Sequence, residues 1–269
     1  MGNSKVVGHC HICGDFGPLS EEHVPPQRAF NNMPFVEISF TQRLALGPDD
    51  VPDGRKRQGG IRFTSLCRQC NNDFGSWYAR AFIEWCYQGM FILEKSGGNP
   101  RLVYAHDIYP LRIVKQLAVM FMAINSDRFR LSDTVRDLVP ILKNKEAKGL
   151  PDNVRFYAYF NMQGKPRYTP KAGLYDIARR NMSVFSEITY PPFGYIMVLN
   201  GKPPNSRLFD ITHFARSEYN ERRTSYLDLP VLPTHLGIPG DYRELDDIYR
   251  EEQRNIAEAI RQGIDPNTL

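Results

Sequence analysis

Two pairs of cysteines, Cys10-His11-Ile12-Cys13-Gly14 and Cys67-Arg68-Gln69-Cys70, each space two thiols so that both sulfurs can reach one metal ion. Together they supply the four sulfur ligands that zinc takes at about 2.3 Å. A redox dithiol is the other chemistry open to a C-x-x-C pair. Glycine after the first pair and Asn71-Asn72 after the second favour a folded metal knot. Cys86 has no cysteine or histidine three or four residues away and reads as an ordinary buried thiol. Between the pairs lies Glu21-Glu22-His23-Val24-Pro25-Pro26, and directly after Cys70 comes Asn71-Asn72-Asp73-Phe74-Gly75. Taken alone, the two glutamates are acids at a turn and His23 is a ring packed on prolines. Asn71 is then a helix N-cap, and Asp73 a first-turn acid that suits the helix dipole.

The order C-x-x-C, acidic-His-Val-x-Pro, C-x-x-C-Asn resembles the zinc-containing HNH endonucleases of the His-Me finger class, particularly the subgroup ending in C-x-x-C-Asn-x-x-Phe-Gly. The likeness covers roughly residues 8 to 80. It implies a β-hairpin and a helix that clamp one divalent cation, tied together by the zinc knuckles. By motif position, His23 is implied as the general base, which needs a neutral imidazole near neutral pH. Glu22 and Asn71 are implied as ligands of a catalytic magnesium or manganese, for which hard oxygen donors are suited. Arg62 stands where the family's middle Asn normally orients the histidine, and a guanidinium cannot accept the imidazole N–H. A backbone carbonyl, Thr64 or Ser65 is the candidate replacement.

These residues must be positioned by a stretch rich in Gly, Pro, Asn and Asp, about residues 5 to 75, which has few periodic segments. The polar run Gly47 to Gly60 rejects helix and strand and reads as a mobile loop. From Asn71 to Met90, aromatic residues at three and four spacing predict a helix with a thick apolar face. That stripe, Phe74, Trp77, Tyr78 and Phe82, reads as core rather than as a base-stacking platform. Ser96-Gly97-Gly98-Asn99-Pro100 stops it and marks a boundary. Beyond, Leu111 to Asn125 is apolar nearly all round and predicts a central helix; residues 132 to 148 predict another. Alternation over Val154 to Phe160, a turn at Asn161 to Gly164, and Tyr195 to Leu199 before Asn200-Gly201 predict strands. Asp241 to Gln262 reads as a surface helix. The fold class is therefore α+β, with a small zinc-stapled β-β-α metal module (1–96) followed by a larger α+β domain (100–269).

With 269 residues and 42% hydrophobic content the chain has ample material for a core. The charge of +4 is compatible with a polyanionic partner but does not require one. Arg55-Lys56-Arg57, Arg62, Arg68 and Arg28 are candidates to neutralise phosphates beside the cut site; a solvated loop is the competing reading. No apolar run approaches the roughly 20 residues that span a bilayer, and Met1 to Lys5 offer no leader-like segment, so a cytoplasmic protein is expected. The resemblance implies hydrolysis of nucleic-acid phosphodiesters, DNA ahead of RNA, and looks like restriction or phage-defence effectors. The appended domain is then a recognition or partner-binding unit. A non-cleaving adaptor that keeps the HNH shape and binds nucleic acid or protein is the alternative.

Overall fold

The computed structural model describes residues 6–37, 53–176, 181–236 and 238–263. Part of the run from Gly47 to Gly60, residues 47–52, lies outside them. The architecture is mixed α/β. Strands β1 (Val7–His9), β2 (Phe16–His23) and β5 (Arg62–Cys67) form an antiparallel sheet in the order β1-β2-β5. The short strands β3 (Phe35–Glu37) and β4 (Arg55–Arg57) pair with each other. Helix α1 (Arg68–Phe74) leaves β5 directly and passes through a π-helical turn (Gly75–Ala79) into α2 (Arg80–Lys95). Of the aromatic stripe expected from the sequence, Phe74, Tyr78 and Phe82 are buried and Trp77 is half-buried, and Trp85 further along is buried as well.

After the turn at Gly97-Gly98, strand β6 (Arg101–Ile108) pairs with β12 (Arg223–Pro230). Helix α3 (Pro110–Ile124) follows, and every residue except Arg112 is buried, as its all-round apolar pattern requires. A five-stranded antiparallel sheet, order β11-β7-β10-β9-β8, completes the core: β7 (Arg155–Phe160), β8 (Arg167–Asp176), β9 (Asn181–Tyr190), β10 (Phe193–Asn200) and β11 (Phe209–Asp210). The turn at 161–164 does not join neighbours, since β7 pairs with β10 and β11.

Residues 132–148 do not make the helix expected there. Only Leu138–Lys143 is helical (α4), preceded by turns. Val135 in the preceding turns and Leu138 and Leu142 in the short helix reach the core, and Pro140 could not donate in a longer helix. The tail forms helix α5 (Leu245–Arg261), a surface element in which Ala259 is the buried residue.

One continuous core runs from Cys10, Val24 and Leu66 through α2 and α3 to Phe193, Phe214 and Leu229. Packing therefore continues across the Ser96–Pro100 turn. Trp85 stacks on Phe193 with centroids 4.6 Å apart, and the His11 ring reaches the Met122 carbonyl at 3.3 Å. The buried Glu187 accepts hydrogen bonds from Arg167, Tyr159 and Tyr242. Arg167 also donates to the carbonyls of Leu236 and Asp241, which pins the segment leading into α5 to the sheet. Such a pair repays its desolvation only through added hydrogen bonds, which Glu187 and the Arg167 terminal nitrogens make while Arg167 Nε is left without one.

His106 on β6 is fully buried beside Phe160, and neither ring nitrogen has a hydrogen-bond partner. Burial pulls its pKa down to about 4. The unfolded chain therefore binds the extra proton, and stability falls as pH drops from about 6.5 towards 4. At roughly 1.4 kcal/mol per unit the loss reaches at most about 3 kcal/mol. Melting temperature measured from pH 7 to pH 4.5 should fall less steeply for His106→Leu than for the parent.

Candidate metal centre and active site

The first cysteine pair sits in a knuckle between β1 and β2. The Gly14 N–H donates to the Cys10 carbonyl at 3.0 Å, and Gly14 takes φ +84°, a left-handed conformation that favours glycine. The second pair straddles a strand end and a helix start: Cys67 closes β5 and N-caps α1, its sulfur accepting from the Cys70 N–H at 3.5 Å. Register between β2 and β5 sets Leu19 opposite Cys67, which brings the helix start beside the knuckle. The four sulfurs of Cys10, Cys13, Cys67 and Cys70 lie within 4.8 Å of one another. Cys13 and Cys67 are 3.8 Å apart. A tetrahedral site with about 2.3 Å metal–sulfur bonds has edges of about 3.8 Å (2.3 × 1.63). These cysteines are positioned to bind a metal ion.

The thiols polarise one another. Donation from Cys70, opposed by burial, holds the Cys10 thiol well below the usual range, while the same contact and burial push Cys70 up. Burial chiefly raises Cys13. The Cys10 sulfur thus favours the thiolate, the form that binds a thiophilic cation.

Glu22 and His23 end β2, beyond an irregularity in register between Ser20 and Glu21. Glu22 turns inward: it is buried, its Oε2 has no hydrogen-bond partner, and burial followed by the charge on Cys10 raises its pKa to about 8. His23 is half-buried, and its Nε2 lies 2.9 Å from the Gly59 carbonyl. A carbonyl only accepts, so Nε2 carries the proton and Nδ1 is the lone-pair nitrogen. Asn71 is the fourth residue of α1, whose N-cap is Cys67 and not Asn71, and it donates from Nδ2 to Ser20 Oγ at 3.1 Å and to the Glu21 carbonyl at 3.0 Å. Its amide nitrogen ties the helix start to the strand that carries Glu22 and His23, and its oxygen is left for another partner.

The loop after His23 is fastened by a residue the sequence reading passed over. Asn31, fully buried, donates to the carbonyls of Pro25 (2.7 Å) and Ile61 (2.9 Å) and accepts from the Ile61 N–H (2.7 Å). Gly60 permits this approach, because a Cβ there would fall 1.9 Å from the Asn31 carbonyl oxygen. Asn31 therefore fixes the segment whose Gly59 carbonyl orients His23. Tyr168 on β8 donates to the Val24 carbonyl at 2.8 Å, and Tyr190 on β9 to the Phe30 carbonyl at 3.1 Å. An asparagine in a polar stretch gives no signal of such a role; the Gly59-Gly60 pair was the visible hint.

Arg62 stands opposite His23 in the β2–β5 register, but its guanidinium is engaged elsewhere. It pairs with Glu21 at 2.7 Å and donates to the Gln58 carbonyl. Arg55 and Lys56 are exposed on β4, and Arg57 there is half-buried. Arg28 is exposed on the loop after His23 and Arg68 at the first residue of α1. Comparison with known protein families, curated proteins and solved structures found no match for this chain.

Replacing Asn31 with Ala strips the Pro25 carbonyl and the Ile61 N–H of their side-chain partner in a buried site and leaves the Ile61 carbonyl with the Val24 N–H alone. A stability loss of about 2–3 kcal/mol in denaturant unfolding is expected, against nearly none for Asn32→Ala, whose side chain is exposed.

Proposed function

We propose that this chain is a metal-dependent endonuclease of the HNH type, stabilised by a structural zinc on Cys10, Cys13, Cys67 and Cys70, that hydrolyses nucleic-acid phosphodiester bonds. The observation that carries the reading is the pair that ends β2: the imidazole of His23, held through Nε2 by the Gly59 carbonyl, and the carboxyl of the preceding Glu22, buried with its Oε2 unpartnered. A structural carboxyl would have its oxygens bonded; a buried, unpartnered one next in sequence to a histidine fits a cation site. Four sulfurs and no oxygen in the other cluster fit zinc.

In this reading His23 Nδ1 takes a proton from the attacking water while the Gly59 carbonyl stabilises the imidazolium through Nε2–H. Glu22 and Asn71 Oδ1 would hold magnesium or manganese. Such an ion, when bound, supplies positive charge to the scissile phosphate and its leaving oxygen. Arg28, Arg55, Lys56 and Arg68 lie exposed for phosphate contacts, with Arg57 and the Glu21-paired Arg62 as weaker contributors. DNA is the favoured substrate, and a protein partner would dock on the region after residue 100. A non-cleaving adaptor of the same shape is the second reading, favoured if zinc and nucleic acid bind but no bond is cut.

Elemental analysis of freshly purified protein should find about one zinc per chain, and Cys67→Ser should lose it and lower the melting temperature.

Plasmid, single-stranded DNA and RNA should be tested with magnesium, manganese or no added metal. His23→Ala should slow cleavage by about 10² to 10⁴ while keeping zinc and melting behaviour. Glu22→Ala and Asn71→Ala should instead raise the metal concentration needed. A His23→Ala variant that cuts as fast as the parent overturns the assignment.

A further inference from the structure

We propose that the pocket formed by Gln27, Arg28, Phe30, Asn32 and Tyr87 receives an unpaired nucleobase of the strand that the His23 site cuts, so that the substrate is single-stranded or locally unpaired. This rests on the nuclease reading and names its substrate class.

The pocket belongs to the loop that follows His23. A Cβ on Gly59, whose carbonyl holds the imidazole, would lie 3.7 Å from Gln27 Nε2, so pocket and imidazole share one backbone support. Its cavity is about 240 Å³, below the 300–1,000 Å³ that house drug-sized ligands and on the scale of a single base. Its lining combines what base binding requires. Phe30 and Tyr87 bring their rings to 5.0 Å, two amides offer donors and acceptors for a base edge, and Arg28 offers a cation for the adjoining phosphate.

Two observations indicate that these aromatic side chains do more than pack, although Phe30 lies half-buried against the core. On α2 the buried face is filled by Phe82, Trp85, Cys86, Gly89, Ile92 and Leu93, yet Tyr87 is 54% and Phe91 is 62% exposed. Tyr87, Phe91 and Lys95 recur at four-residue spacing, so aromatic faces and then an ammonium continue along the helix from the pocket. Phe30 has φ +67°, a conformation rarely taken by a bulky residue. It is imposed from outside: Tyr190 and the Asn32 N–H both donate to the Phe30 carbonyl, and Asn31 is fixed next door. Strain of this kind collects where a side chain must be presented rather than packed. A base inside a duplex has its faces covered by its neighbours, so a ring-lined pocket with an open aromatic track selects an unpaired strand.

The test uses the full chain and fluorescent 30-mers of one sequence, single-stranded and duplex, without added magnesium or manganese. The parent should bind the single strand more tightly. Tyr87→Ala should weaken single-strand binding about tenfold and duplex binding little, and Tyr87→Phe should keep parental affinity, because stacking needs the ring and not the hydroxyl. Phe30→Gly suits the positive φ, so it should fold while also losing single-strand affinity. A 2-aminopurine base in the single strand should be quenched by the parent and not by Tyr87→Ala. Parental single-strand binding by both Tyr87→Ala and Phe30→Gly, or a parental preference for duplex, overturns the pocket assignment even if cleavage is intact. Tyr87-dependent binding of single strands without cleavage under any metal would instead remove the nuclease reading and leave the base site standing.

Discussion

Four sulfurs from separate pieces of chain meet at one point, and the geometry of the N-terminal region follows from that constraint. Cys13 and Cys67 stand 54 positions apart, and closing so long a polar segment on its own opposes folding by its entropy. A metal held by the cluster would offset that cost, because the energy of filling four ligand positions is energy of folding. The knuckle, the end of β5 and the start of α1 are then fixed relative to one another. Asn71, next to Cys70, reaches Ser20 and the Glu21 carbonyl only because the helix starts where the cysteines hold it.

The site is nonetheless not a freestanding module. Tyr168 and Tyr190 come from strands β8 and β9, far along the chain, yet they hold the carbonyls of Val24 and Phe30 on either side of the loop after His23. Helix α3 lies between the cysteine-bearing sheet and the five-stranded sheet and is buried nearly all round, so it serves both. Changes in the second half of the chain thus reach His23 through hydrogen bonds and shared packing.

His23 is oriented by backbone and not by a side chain. With Arg62 paired to Glu21, the ring takes its orienting bond from Gly59, and the Gly59 carbonyl is placed by Asn31 through Ile61. Backbone acceptors do this as well as an amide side chain, because only an acceptor at hydrogen-bond distance is needed.

Local signals determined much. The cysteine spacing identified the metal cluster, the aromatic periodicity after Cys70 marked the α1–α2 run, and the unbroken apolar stretch marked α3, because each depends on residues near one another in sequence. The sequence did not reveal that residues 132–148 make only one short helix, since burying Val135, Leu138 and Leu142 decides that, not periodicity. Nor did it reveal Asn31, the inward turn of Glu22 or the Phe30–Tyr87 pocket. Those depend on register and on contacts between distant segments, such as Asn31 with Ile61 and Phe30 with Tyr87, which only the packed chain brings within reach.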